Sequence, residues 1–382
     1  MIKQAVIAIF TALVMTMGPA AQKYQHHMLP LLGEVARPGS DLHLSLIDET
    51  LELWDSIIVQ SNPPLSAELV NLVELALPLL DYQTETARSS LEIVESYITM
   101  SPQSILEDRL RRPVLAALVP VLESSGRERV RSGTRCVELI IRGATEFGGA
   151  GGISVIIQDM METGFIRTIL QSLHDAYEAH QTTGPNRKVS KLNTVTEGDY
   201  FAILARLALA EPSAFMMMLG SFGPLEAVWS WLSAEWFSHL DGSDDIARQK
   251  LCLLALTRLL ELPDPVQGLV LGKLQDYFSL WNSTISELQD GSIPGSETDC
   301  LMSPELPVEE WHCPKNIREN ELAAKDPVHS VHAFDFVRAR LGDLIQRVGG
   351  EERFEREWGD NVDGDVLEGF GRLSREIDKW RQ

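Results

Sequence analysis

Cys300, His312, Cys313, His329 and His332 are the residues of this chain whose types suit zinc ligation. Zinc motifs set ligands in close pairs along the chain, and this spacing matches none of them. His329 and His332 stand three apart and share a helix face, where capping or surface contact is the expected use. Asp360-Asn361-Val362-Asp363-Gly364-Asp365 has the acidity of a calcium loop. However, Val362 stands at the third ligand position and the glycine comes one place early, so a polar turn ahead of the last helix is expected. Gly148-Gly149-Ala150-Gly151-Gly152 is rich enough in glycine for a phosphate cradle. A cradle needs a preceding strand and a lysine with a hydroxyl residue opening the helix, whereas here a helical pattern precedes and Ile153-Ser154-Val155 follow. It reads as a turn between helices. No G-x-S-x-G elbow, H-E-x-x-H helix or catalytic Cys/His pair occurs, and the abundant carboxylates single out no acid–base pair. The sequence therefore offers no catalytic residue, metal ligand or cofactor, and the protein is read as a non-enzyme.

The charge narrows the partners. The 382 residues carry 55 acids against 33 bases, a net −22. Such a chain repels phosphates, which excludes nucleic acid and argues against anionic membrane surfaces. The acidity either attracts basic proteins in a salt-sensitive way or serves only to keep a large helical protein in solution. Arg127, Arg129, Arg131 and Arg135 alternate with Glu128 and small residues, as in a solvated helix start. Of Met216-Met217-Met218, at least two belong in a core, because three adjacent residues cannot share one helical face. The four cysteines are scattered, fit a reducing compartment, and at Cys136 and Cys252 sit inside apolar helical patterns.

The elements that would carry these residues read as helices throughout. Ile47, Leu51, Trp54 and Ile58 form one face over 41–60, with Ser40 or Asp41 as cap. Pro63-Pro64 opens a second helix, striped by Leu65, Leu69, Leu72, Ala76 and Leu79. Ala87, Leu91, Val94 and Ile98 stripe 84–100, and Ser101-Pro102 starts a further helix that Pro113 should bend or interrupt. Later helices are expected near 127–147, 153–181, 198–210, 213–220, 224–240, 244–262 and 265–289, with an exposed polar loop at 182–196. A phrase recurs: Leu29-Pro30-Leu31-Leu32, Leu77-Pro78-Leu79-Leu80 and Val119-Pro120-Val121-Leu122. Its prolines stand 48 and 42 residues apart, close to the unit of about 40–47 residues of HEAT or armadillo repeats. The fold class is all-α, a HEAT/armadillo-like α-α superhelix, in which stacked helix pairs bury what no pair could bury alone and the inner helices offer a binding face.

Three regions are expected: 1–289 as the HEAT-repeat array, 290–314 as an acidic flexible linker or insert, and 315–382 as a C-terminal helical region closing the solenoid. Lys3 and the apolar run from Ala5 to Met15 resemble a secretory signal, but a buried solenoid helix reads the same way and Gly18-Pro19 is an ordinary helix stop. The run is too short to span a bilayer.

Two passages are more specific than the repeat. Leu46-Ile47-Asp48-Glu49-Thr50-Leu51-Glu52-Leu53-Trp54 and Leu322-Ala323-Ala324-Lys325-Asp326-Pro327-Val328-His329-Ser330-Val331 together resemble the C-terminal part of the importin-eleven branch of the importin-beta family. The resemblance implies a nuclear transport receptor of HEAT repeats that binds basic cargo proteins and nucleoporins and shuttles between nucleus and cytoplasm. It implies control by the Ran GTPase as well, although the family's main Ran-binding repeats lie in an N-terminal part not represented here. On this resemblance the N-terminal apolar run is a repeat helix and Met1 falls inside a repeat array, without membrane insertion. The alternative is a general HEAT scaffold or regulatory subunit unrelated to transport.

Overall fold

The computed structural model describes residues 2–81, 85–124, 126–149, 151–183, 188–290 and 313–380. All regular structure among them is helical. The chain divides into two compact units, Met1–Ile169 with Pro304–Ala323, and Leu170–Ser303 with Ala324–Gln382.

In the first unit, α1 (Ile2–Met17), α3 (His43–Val59), α6 (Glu85–Met100) and α9 (Arg127–Phe147) pack side by side in sequence order. Joined to them are α2 (Gln25–Ala36), α4 (Ala67–Asn71) with α5 (Val73–Ala76), α7 (Pro102–Ile105) with α8 (Asp108–Leu122), and α10 (Gly152–Glu162). Each recurring phrase lies in the first member of a helix pair: Pro30 inside α2, Pro78 in the 3-10 turn Leu77–Asp81 after α5, and Pro120 near the end of α8. The phrase thus lies within helical structure rather than in the gap between two helices. Leu51, Trp54 and Ile58 of the first expected stripe are buried, as are Ala87, Leu91, Val94 and Ile98 of the third. Trp54 Nε1 donates to Tyr97 Oη at 2.8 Å, and Tyr97 Oη donates to the Leu69 carbonyl at 2.7 Å, so one buried chain of hydrogen bonds joins two successive repeats.

Several boundaries differ from the sequence reading. Leu42, not Ser40 or Asp41, caps α3, since Ser40 Oγ accepts instead from the amide of Leu42. The helix expected at Pro63-Pro64 begins at Ala67, where Ser66 Oγ takes the amide of Leu69, and it breaks into two short helices and a 3-10 turn. Pro113 interrupts nothing: α8 runs through Pro113 and Pro120 because both lie on its exposed side, where water can take the carbonyls left without an amide donor. Gly18-Pro19 does not stop the chain either. A 3-10 turn, Gly18–Tyr24, carries α1 on into α2, and the resulting run Ile2–Ala36 is long and apolar enough, by length and composition, to cross a membrane. Here α1 packs on α3 and buries Ile7 and Val14.

The second unit continues from α11 (Phe165–Gln181), in which the division falls, through α12 (Thr194–Ala210), α13 (Pro212–Gly220), α14 (Leu225–Asp241), α15 (Ile246–Arg258), α16 (Val266–Leu271) and α17 (Leu274–Asp290). After α18 (Pro314–Lys325) come α19 (Pro327–Ser330), α20 (Ala333–Arg347), α21 (Glu351–Glu357) and α22 (Gly364–Trp380). α12, α15, α17 and α22 pack in succession, and α20 packs on α15 and α17. Their core is aromatic: Phe201 stacks on Trp236 with centroids 5.2 Å apart, and Phe278 and Trp281 meet Phe370 of α22. The helix expected over 153–181 splits at Gly164, whose φ of +83° ends α10 in a conformation that favours glycine. Residues 291–312, nearly all of the acidic linker assigned to 290–314, lie outside the described residues.

Candidate protein-binding surface

α3, α6 and α9 bring carboxylates together at the surface of the first unit. Asp55 of α3 accepts from Ser96 Oγ of α6 at 3.2 Å, and Glu92 and Glu95 stand on the same stretch of α6. α9 adds Glu146. Burial pushes the carboxyl groups of Asp55 and Glu95 above the ordinary carboxylate range. Nearby cations oppose that rise: Lys315 at Asp55, and Arg135 followed by Lys315 at Glu95.

Lys315 belongs to α18, whose first ten residues fall in this unit. Its Nζ donates to Ser96 Oγ at 2.9 Å. One turn on, Arg318 pairs with Glu146 at 3.4 Å while its guanidinium lies 5.8 Å from the Phe147 ring. Arg135 of α9 pairs with Glu95 at 2.9 Å and reaches Glu319 at 3.6 Å, and Arg142 donates to the Leu322 carbonyl. A helix carrying basic residues at i and i+3 therefore lies on carboxylates supplied by three successive repeats. Partial burial strengthens such pairs relative to fully solvated ones, because less water screens them. Nothing in the arrangement joins a nucleophile to a base. In this structure it holds the basic side of α18.

The residues singled out by sequence are not assembled into this surface or into any other site. The Cys313 thiol donates a hydrogen bond to the Val59 carbonyl at 3.3 Å, and His332 caps α20 by accepting from the amide of Asp335. His329 lies in the short helix α19, while Cys300 and His312 lie outside the described residues. Gly149 and Gly151 take positive φ in the turn between α9 and α10, as a glycine turn predicts. Asp363 exchanges hydrogen bonds with Gln275, its amide donating to Oε1 and its Oδ2 accepting from Nε2, in a polar turn before α22. Met216 and Met218 are buried and Met217 is exposed; Cys136 and Cys252 are buried. Of the four arginines read as a solvated helix start, Arg127 and Arg131 are exposed, but Arg129 donates to the Leu80 carbonyl and Arg135 joins the acidic surface. The sequence reading missed Asp55, Glu95, Lys315 and Arg318, and no local pattern marks them.

The lysine-aspartate-proline-valine-histidine string has a structural role in the second unit. Asp326 is buried and accepts from both terminal nitrogens of Arg206 on α12, each at 2.8 Å, while its Oδ1 also takes the amide of Val328 to cap α19. Pro327 then occupies the first helical position, where its missing amide costs nothing. A family model described as importin-11-like, TPR repeats, matches residues 4–375. The chain belongs to the importin-11-like family. Among its relatives, mouse importin-11 is 22% identical over 93% of this chain, and the importin beta-like protein kap113 of Schizosaccharomyces pombe is 20% identical over 97%. The chain spans about 35% of the length of either. The solved structure of Lph2, described as a bidirectional nuclear transport receptor of S. cerevisiae, matches 97% of this chain and 38% of its own, with a TM-score of 0.76 at 17% identity. That likeness establishes the fold of this importin-11-like chain as all-α and HEAT-like.

Proposed function

We propose that the chain is a non-catalytic, protein-binding segment of a nuclear import receptor that takes basic cargo proteins, with transfer governed by the Ran GTPase. Membership of the importin-11-like family supports a transport role. The observation that carries the choice of basic partners is the surface of α3, α6 and α9, where Asp55, Glu95 and Glu146 surround Lys315 and Arg318. The net charge of −22 adds long-range attraction to the same class of partner. Nucleoporins are the further partners of this reading, and shuttling between nucleus and cytoplasm is its cellular consequence. Membrane insertion is not part of it, since α1 lies packed on α3. The region 315–382 supplies helices to the second unit and, through α18, the basic side chains on the acidic surface of the first. Residues 290–314 connect them as an acidic linker.

The test is capture of proteins from nuclear extract by the purified chain at two salt concentrations, with and without Ran-GTP. Basic proteins held at low salt and released by Ran-GTP are the expected result. Basic proteins held regardless of Ran-GTP would restrict the chain to cargo binding. Recovery of a defined partner with no basic character would overturn the reading in favour of a general scaffold.

A further inference from the structure

In the second unit, α11, α12 and α14 bring together three residues that the sequence keeps far apart. His180 ends α11, Glu197 lies in the first turn of α12, and Glu235 lies in the middle of α14. His180 Nδ1 is 2.6 Å from Glu235 Oε1, and ligand atoms of all three residues lie within 4.8 Å of one another. The two glutamates are 5% and 4% exposed, whereas the His180 side chain is 45% exposed. Two carboxylates brought together away from water need a positive species between them. Neither is paired with a lysine or arginine among the described residues. Glu197 Oε1 is buried without a hydrogen-bond partner, and its second oxygen faces His239 Nδ1 at 3.5 Å. Arg248 stands close by, but it is engaged by Asp199 and Asp245.

We propose that His180, Glu197 and Glu235 form a binding site for one divalent transition-metal cation of the zinc type, which staples α11, α12 and α14 together. One imidazole nitrogen and two carboxylates form a donor set that zinc accepts, with water from the open His180 side as the fourth ligand. Zinc bonds of about 2.0–2.2 Å place tetrahedral ligand atoms about 3.4 Å apart, so the side chains need only small adjustments from their present spacing. The orphan oxygen Glu197 Oε1 gains a partner. His239 acts from behind, holding the other Glu197 oxygen and so orienting the ligand. Gly198 is what lets His239 approach: a Cβ there would stand 3.0 Å from both His239 Nε2 and Arg248 Nη1. Burial and the contact with Glu197 push the Glu235 carboxyl up. Metal ligation requires deprotonated carboxylates and a neutral imidazole, so zinc affinity falls as pH is lowered. The spacing of these three ligands matches no sequence motif, and only the packing of three helices defines the site.

The experiment is a zinc titration of the whole purified chain against a chromophoric chelator, with thermal unfolding followed with and without zinc chloride. The wild type is compared with His180→Ala and Glu235→Gln. One zinc per chain is expected, with a rise in Tm on binding. Both variants should lose at least tenfold in affinity and show no rise. Cobalt(II) in place of zinc should give d–d absorption without a thiolate charge-transfer band, which separates this site from adventitious binding at the cysteines. No stoichiometric binding by the wild type, or equal affinity in wild type and His180→Ala, overturns the proposal. His180 lies at the exposed end of its helix, so its variant decides the question even if Glu235→Gln fails to fold.

Discussion

The two units use one architecture and hold it together differently. The first is organised by recurrence. Its helices repeat at an interval visible in the chain, and Trp54 and Tyr97, 43 residues apart, join equivalent positions of neighbouring repeats. It buries one ion pair, Arg111 of α8 with Asp159 of α10 at 2.6 Å, and gathers further charges at the surface, where α18 meets the acidic face of α3, α6 and α9. The second unit has several polar anchors of its own. Arg206 and Asp326 pair from 120 residues apart, Asp199 is buried beside Arg248, and the exposed Arg347 of α20 donates to the carbonyls of Leu260, Glu261 and Leu262. The difference teaches where specificity resides in a repeat array. Regular stacking needs only matching apolar faces, while a region with faded repeats needs individual, directional contacts to select one arrangement.

Breaking those buried anchors should give the largest effect. Asp326→Ala leaves the Arg206 guanidinium buried without its partner and uncaps α19, and should cost about 3–5 kcal/mol in chemical unfolding. If the second unit relied on apolar stacking alone, the loss would be no more than that of a surface substitution. In the first unit, Tyr97→Phe removes the hydroxyl that takes the Trp54 hydrogen bond and donates to Leu69, for an expected cost of about 1–3 kcal/mol by the same measurement.

Asp55 sharpens the contrast through pH. Burial holds its folded pKa above 3.8, so its contribution to stability is present below that value and is lost as pH rises through the folded pKa. Asp55→Asn should therefore match the wild type at about pH 3 and exceed it modestly at about pH 7. A wild type whose stability rises relative to the variant over that range would show that Lys315 outweighs burial. Lys315→Ala with Arg318→Ala should cost about 1–3 kcal/mol, because both side chains are largely buried and their removal takes cations from half-buried carboxylates. The same double variant should bind basic peptides more tightly, measured by titration calorimetry, since it vacates the acidic surface. Unchanged or weaker binding would separate that surface from cargo recognition.

The legibility of each feature follows from the distance over which its cause acts. The stripe Ala87, Leu91, Val94 and Ile98 is legible because a helix repeats every 3.6 residues and one face must be buried, whatever it packs against. The proline phrases give the repeat period, yet not their place in it, because a proline on an exposed helix face is tolerated where sequence rules expect a break. The surface of α3, α6 and α9 was not legible, since Lys315 and Ser96 are 219 residues apart and neither stands in a distinctive pattern.

By itself, then, the sequence determined an all-α chain of repeating helix pairs, its net acidity, and the motif in which Asp326 is the distinctive acid. Tertiary structure alone decided that Asp326 faces Arg206, that α18 lies on carboxylates from three repeats, and that His180 meets Glu197 and Glu235. The physical reason is the range of the forces. Helix periodicity and charge balance are local or additive and survive in a one-dimensional reading, whereas hydrogen bonds and ion pairs exist only after packing brings their partners within about 3 Å.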